Sequence, residues 1–141
     1  MNINITIKEE GGAPEDIYSV TSLIKAVTTV FAVSKEELLS KRRMAYIVTP
    51  RHALYYLGYK NTSHSLPSLA RFLGRDHTSI IHGRNKTRER LAKNKAFALK
   101  IDEVHLLAIA YEEKRQKNLE DIREDVADMI YKINLEKLNG L

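Results

Sequence analysis

Two helix-start signals lie close together in the middle of the chain, with a single glycine between them. Ser65 precedes a short run with apolar residues at helical spacing, and Asp76 precedes a longer polar run. Serine and aspartate cap helices, because their side-chain oxygens accept a hydrogen bond from a free backbone N–H of the first turn. Gly74 suits the left-handed conformation that closes a helix. The pattern predicts helices over 67–73 and 77–92 joined by a tight turn, which is the helix-turn-helix arrangement.

The segment before this pair predicts two further helices. Apolar residues recur at three-and-four spacing over 17–32, which favours an amphipathic helix with a buried stripe. Ser34 and Glu37 form a capping box, in which each side chain satisfies the backbone N–H of the other residue. We expect a short helix over 36–40 after this box.

A basic stretch separates these elements from the helix-turn-helix. Residues 41–48 contain three consecutive cations and show no helical period, so we interpret them as a basic loop. Thr49 can cap a helix, and Pro50 suits the first helical position, where no N–H partner is needed. We therefore expect the next helix to span 50–60.

The C-terminal part is strongly helix-forming and carries a second apolar stripe. The members of this stripe repeat at the spacing of a short coiled-coil seam, and they are Leu119, Ile122, Val126, Met129 and Ile133. Two interpretations stay open. The stripe either folds back on its own domain, or it joins two chains in a homodimer.

Together these elements predict an all-α fold class, a helical domain with an extended helix-turn-helix and a C-terminal helical extension. A chain of 141 residues is long enough for one such domain. We expect a flexible N-terminal arm or weak strand over 1–16, the helix-turn-helix domain over 17–104, and the extension over 105–141.

Charge is distributed unevenly along the chain, whose formal net charge is +5. Residues 41–93 carry twelve lysines and arginines but only two acidic residues, whereas 102–141 carry six basic and ten acidic residues. A dense basic block around a helix-turn-helix favours a nucleic acid over an acidic protein or a membrane surface.

The second predicted helix of the pair has two distinct faces. A narrow stripe of mostly small residues, suited to close packing, consists of Ile80, Gly83, Thr87 and Leu91. Polar and cationic side chains surround the rest, among them His77, Thr78, Ser79, His82, Arg84 and Lys86. Donors and positive charge on an exposed helix are what contact with phosphates and base edges requires.

Several function classes lack their signature in this sequence. The chain has no cysteine, and His77 and His82 diverge around a helix where a metal needs converging ligands. No glycine-rich phosphate loop is present, and no nucleophile has an orienting acid beside it. We therefore expect no enzyme activity, no metal, no cofactor and no nucleotide. Without a signal peptide or a long apolar run, we expect a cytoplasmic, nucleoid-associated protein with no membrane contact.

Several linked motifs resemble one family. They are SKEELLSKRR at 34–43, TPRH at 49–52, SLP at 65–67 and GRDHTSIIH at 74–82. In order and spacing the region 17–104 is similar to the C-terminal DNA-binding domain, domain IV, of the bacterial replication initiator DnaA. The resemblance implies an all-helical, Trp-repressor-like domain that binds double-stranded DNA at boxes of the TTATCCACA type.

The same resemblance implies roles for individual residues. Arg43 would enter the minor groove, with its neighbour Arg42 as the alternative. Arg51 and Lys86 would contact phosphates. The residues that would face the major groove are Leu66, Pro67, Asp76, His77, Thr78 and Ser79. Further candidates for contacts with the DNA backbone are Arg42, His52, Arg75, His82 and Arg84.

Three of these residues have a second interpretation from the sequence itself. Asp76 is also a helix cap, and it can fill that role while it reaches a base. Leu66 is also a candidate core residue, and Pro67 is also a helix-start residue.

The implied function is a regulator, bacterial or phage-encoded, that occupies box-like sites and acts on replication initiation or transcription. The family's nucleotide-binding module has no counterpart in this sequence, so ATP-driven assembly is not expected. The alternative is a protein-interaction adaptor. Its acidic C-terminal helix would recruit a partner or dimerise, while the basic domain tethers it to DNA without sequence preference.

Overall fold

A computed structural model of the chain describes residues 15–140. Within that range the protein is all-α, with six helices and no strand, as the sequence predicts. The helices are α1 (Val20–Phe31), α2 (Lys35–Leu39), α3 (Ala45–Asn61), α4 (Leu66–Leu73), α5 (His77–Lys93) and α6 (Lys95–Asn139). The predicted N-terminal arm, 1–16, lies almost wholly outside the described residues.

The starts of α1 and α2 are fixed by their caps. Ser19 caps α1 by accepting a hydrogen bond from the Ser22 backbone at 3.1 Å, so Ile17 precedes the helix that was predicted to begin there. The capping box of α2 is confirmed. Ser34 accepts from the Glu37 backbone at 3.0 Å, and Glu37 accepts from the Ser34 backbone at 3.1 Å.

The prediction of a basic loop over 41–48 and a helix start at Pro50 was wrong. α3 begins at Ala45, so Pro50 lies inside it. Proline has no N–H to donate to the carbonyl of Tyr46, which costs the helix one hydrogen bond. The side chain of Ile47 is fully buried, and this burial favours helix over the whole segment. Only residues 40–44 form the loop between α2 and α3, which we call the basic loop.

The start of α3 left no periodic signal because only Ile47 and Pro50 are buried over 45–50. The rest of α3 is the central helix. It packs against α1, α2, α4 and α5 and is therefore buried on several sides. Its buried residues are Ile47, Pro50, Arg51, Ala53, Leu54, Tyr55, Leu57, Gly58, Tyr59 and Asn61. A periodicity argument needs a single buried face, and α3 does not have one.

The helix-turn-helix forms as predicted. Ser65 caps α4 through a backbone N–H at 3.2 Å, and Gly74 closes that helix in the left-handed conformation with a φ of 66°. Asp76 caps α5, where its carboxylate accepts from the Ser79 backbone at 2.7 Å. Only residues 74–76 separate the two helices.

α6 is one continuous helix of 45 residues, about 68 Å long at 1.5 Å per residue. Its first part packs on α1, whereas every residue over 113–140 is exposed. The interpretation that the second stripe folds back on the domain was therefore wrong. Although α6 is long, neither it nor any other helix in 15–140 is apolar enough to cross a bilayer.

Candidate nucleic-acid interface

A polar groove of about 810 Å³ lies where the basic loop, α3 and the start of α5 meet, and we call it the basic groove. The predicted DNA-contacting residues that line it are Arg43, Arg51, His52, Arg75, Asp76, Thr78, Ser79 and His82. With Lys41, its lining carries four cations against one carboxylate. The fold therefore presents the basic loop and the first turn of α5 on one surface.

Arg51 braces the basic loop from inside. Its side chain is only 6% exposed, although the sequence places it in a cationic motif. The guanidinium donates to the carbonyls of Leu38 at 2.9 Å, Arg42 at 2.7 Å and Glu37 at 3.1 Å. A planar guanidinium reaches these three carbonyls from three different nitrogens, whereas a lysine would have to reach them from one. The structure thus gives Arg51 a bracing role, and its phosphate contact stays a prediction.

Arg75, in the turn before α5, holds the same part of the chain. Its Nη2 donates to the carbonyls of Leu39, at 3.1 Å, and of Ser40. Arg42 and Arg43 extend beyond these two braces and are exposed. The basic loop therefore presents both cations to solvent from a supported backbone.

The first turn of α5 presents the residues predicted to face the major groove. His77 and Thr78 are exposed, and Ser79 is half-buried. The cap role of Asp76 is confirmed, and the hydrogen bond from the Ser79 backbone holds the pKa of Asp76 below its usual range. Asp76 is therefore an exposed anion at neutral pH, as acceptance of a hydrogen bond from a base amino group requires.

His52 lies in the basic groove beside His82. The two rings meet edge-on, with their centroids 5.6 Å apart. Burial of the ring, followed by the nearby His82 and Arg51, lowers the pKa of His52 to about 4. His52 is therefore neutral at pH 7 and can offer a phosphate a hydrogen bond but no positive charge.

Gly83 sets how closely α5 approaches α3. A Cβ at this position would lie 2.6 Å from the ring of Tyr55 and 2.7 Å from the ring of His52. Of the stripe predicted for α5, Ile80, Gly83 and Thr87 are buried and Leu91 is half-buried against the core. This close packing sets the distance between α5 and α3, the two helices that line the basic groove.

Leu66 and Pro67, at the start of α4, differ in their exposure to solvent. Leu66 is 6% exposed and belongs to the hydrophobic core, which supports its second interpretation over a contact with thymine. Pro67 is exposed in the first turn of α4. Of the pair, only Pro67 offers apolar surface to a partner.

Three predicted residues on α5 lie outside the lining of the basic groove, namely His77, Arg84 and Lys86. Arg84 is half-buried, with its guanidinium 5.0 Å from the centre of the Tyr59 ring, and it lines a separate pocket with Lys60. This position does not support the predicted backbone contact by Arg84. Lys86 is exposed and lies 3.6 Å from Glu89 in a surface ion pair, so its ammonium is accessible to a phosphate.

Four residues that line the basic groove were not predicted as DNA contacts, namely Lys41, Val48, Tyr55 and Gly74. Val48 and Tyr55 are seven residues apart in α3, with Arg51 and His52 between them on the same face. If α3 had been predicted to start at Ala45, this spacing would have placed Val48 and Tyr55 on the same face as Arg51 and His52. Lys41 belongs to the same run of cations as Arg43.

A short helix, a three-residue turn and a second helix beside a cationic groove define the class of DNA-binding helix-turn-helix domains. Residues 20–87 match the family model described as the bacterial DnaA protein helix-turn-helix. Residues 20–87 therefore form a DnaA-like helix-turn-helix domain.

Curated relatives support the same assignment. The chain is 39% identical over 89 residues to the chromosomal replication initiator protein DnaA of Rhodopseudomonas palustris (strain BisB18), a match that covers 62% of this chain and 18% of the relative. It is 33% identical over 87 residues to DnaA of Enterococcus faecalis, covering 61% of this chain and 20% of the relative. The chain thus spans about a fifth of the length of these relatives.

Proposed function

We propose that this chain binds double-stranded DNA at box-like sites of the TTATCCACA type. The observation that carries the proposal is the basic groove, where an exposed cationic loop and the capped first turn of α5 share one surface. In a helix-turn-helix the start of the second helix enters the major groove, and cations beside it contact the backbone.

The residues divide into those that enter the grooves and those that contact phosphates or support the basic loop. Asp76, His77, Thr78 and Ser79, with Pro67, face base edges in the major groove. Arg43 enters the minor groove, where the narrow walls concentrate negative potential. Lys86 contacts a phosphate, and Arg51 and Arg75 act through the basic loop that they brace.

The biological role that follows is regulation by occupancy. A chain that fills box-like sites in the nucleoid competes for them with other proteins, and so it controls replication initiation or transcription without catalysis. In this role it acts as a binding module and needs no nucleotide.

A second candidate is the adaptor, in which the basic domain tethers the chain to DNA without sequence preference. The exposed, acidic second half of α6 favours it, because this surface is free to contact another protein. The two functions differ in sequence specificity, since contacts to phosphates alone do not distinguish one duplex from another.

Selection from a random duplex library separates the two functions. The purified chain is used to retain bound duplexes over several rounds at about 150 mM salt, near physiological ionic strength. Site-specific binding predicts enrichment of one short motif, and His77→Ala should abolish that enrichment. Retention of duplexes without any enriched motif would refute the proposal and support the adaptor.

A further inference from the structure

The apolar stripe on the second half of α6 is uncovered in the described structure. Its members Leu119, Ile122, Val126, Met129 and Ile133 are between 37 and 60% exposed. Ile130 lies at the edge of the stripe and is 54% exposed. Tyr131, Leu135 and Leu138 are also exposed, but they lie on the other side of the helix. An apolar seam along a helix is normally buried against another helix.

The same face of α6 is already covered nearer its start. The buried residues on this face are Phe97, Ile101, Val104 and Ala108, which continue in helical steps toward Leu119. α1 covers them and runs antiparallel to α6. The ring of Phe31 lies 6.4 Å from the ring of Phe97, and the Ser19 backbone donates to Glu112 at 2.9 Å. The start of α1 therefore lies beside Glu112, about two helical turns before the uncovered stripe begins at Leu119.

We propose that a second copy of this chain covers the stripe with its own stripe, in an antiparallel pair. With Val126 opposite Met129 and Ile122 opposite Ile133 of the second copy, four apolar layers stack in the seam, and Leu119 lies opposite Glu136 at each end. In this register residue 139 of the second copy lies opposite Gln116, one turn beyond Glu112. The second copy thus fills the free face and stops before α1.

A parallel pair is excluded by α1. In a parallel arrangement the second helix would continue from the stripe along the face that carries Ile101 and Val104. That face is buried under α1, so the two helices would collide. Only the antiparallel arrangement leaves both copies of α1 in place.

Charge favours the same arrangement. Residues 119–128 carry five acidic residues and one basic residue, whereas 129–140 carry two basic residues and one acidic residue. Antiparallel pairing sets the acidic half of each helix beside the basic half of the other and brings Asp125 opposite Lys132 of the second copy. Parallel pairing would set the two acidic halves side by side.

In the antiparallel pair the basic grooves of the two copies lie far apart. Its centre lies between residues 127 and 128, about 49 Å along α6 from Lys95, so the two starts of α6 lie about 100 Å apart. This geometry fits two separate DNA sites rather than the two halves of one short palindrome. Self-association is measured without DNA, so its failure and the failure of box binding are distinguishable.

The first test is the molar mass of the chain by sedimentation equilibrium at rising concentration. The wild type should approach the mass of two chains, and Val126→Glu should keep the mass of one chain. Tyr131→Glu is the matched control, because it adds the same charge to α6 away from the stripe and should leave the pair intact. Helix content by circular dichroism checks that both variants fold. A one-chain mass for the wild type would overturn the proposal.

The second test is orientation. The chain has no cysteine, so Lys114→Cys gives a single attachment site for a spin label. The antiparallel register predicts a label separation of about 40 Å, from two helical paths of about 20 Å each. A separation of about 10 Å, the distance between neighbouring helix axes, would overturn the antiparallel arrangement.

Discussion

Gly83 of α5 lies against the ring of Tyr55 in α3 so closely that a Cβ on the glycine would be 2.6 Å from the ring. Gly83→Ala should therefore push α5 away from α3. Overpacking of this kind destabilises the fold by about 1–3 kcal/mol. The better helix propensity of alanine offsets at most about 1 kcal/mol of this loss.

Urea denaturation should show a lower free energy of unfolding for Gly83→Ala. The control is Asn85→Ala, an exposed position on the same helix, which should be neutral or slightly stabilising. If Gly83→Ala is as stable as the wild type, the close packing described here is wrong.

Arg51 is predicted to matter through the backbone that it holds. Arg51→Lys keeps the charge but loses the planar fork, and buried carbonyls left without a donor cost about 1–3 kcal/mol. The free energy of unfolding should fall by that amount, whereas Arg43→Lys, at an exposed position, should leave it unchanged. An unchanged unfolding free energy for Arg51→Lys would assign the residue to phosphate contact alone.

His52 should make stability depend on pH. Its pKa is about 4 in the folded chain, against an ordinary value of 6.5, because the ring is buried beside His82 and Arg51. As the pH falls below 6.5 the unfolded chain binds a proton first, so stability declines until the pH reaches about 4. His52→Gln should reduce this slope, and Asn85→Gln, at an exposed position that does not titrate, should not. An equal slope in wild type and His52→Gln would contradict the assigned pKa.

Glu112 should also make stability depend on pH, but over a more acidic pH range than His52. Burial raises its pKa, but hydrogen bonds from Ser19, Gln116 and Ser22 outweigh burial and lower the pKa to about 2. Its stabilising effect is therefore complete above pH 4.5 and is lost as the pH falls toward 2. Glu112→Gln should be less stable than wild type at pH 7, with a difference that shrinks below pH 4.5. A difference that does not change with pH would rule out the carboxylate as its source.

Local signals predicted the helix-turn-helix correctly because its caps act within a few residues. Ser65, Gly74 and Asp76 each fix a helix end through a bond to a neighbouring backbone group, so the sequence alone contains the information. The bracing role of Arg51 could not be read in this way. Its acceptors at Glu37 and Leu38 lie more than ten residues away along the chain and meet it only through the packing of α2 on α3.

Long-range packing also explains the other errors. The start of α3 left no periodic signal because only Ile47 and Pro50 are buried there, and the rest of α3 is buried against four helices. The exposure of Ile122 and Val126 follows from where α1 ends, since α1 covers only the first part of α6. A stripe at helical spacing predicts a buried face, but it does not say which helix covers that face.

The central claim is that the basic groove and the first turn of α5 together read a DNA sequence, and fluorescence anisotropy tests it most directly. A labelled TTATCCACA duplex and a scrambled duplex are titrated with the chain at about 150 mM salt. We expect a preference of tenfold or more, on the order of 1.4 kcal/mol, that collapses in His77→Ala and Arg43→Ala. Lys114→Ala, which removes one cation from α6, should keep the preference. Equal affinity of the wild type for both duplexes would contradict recognition of the box.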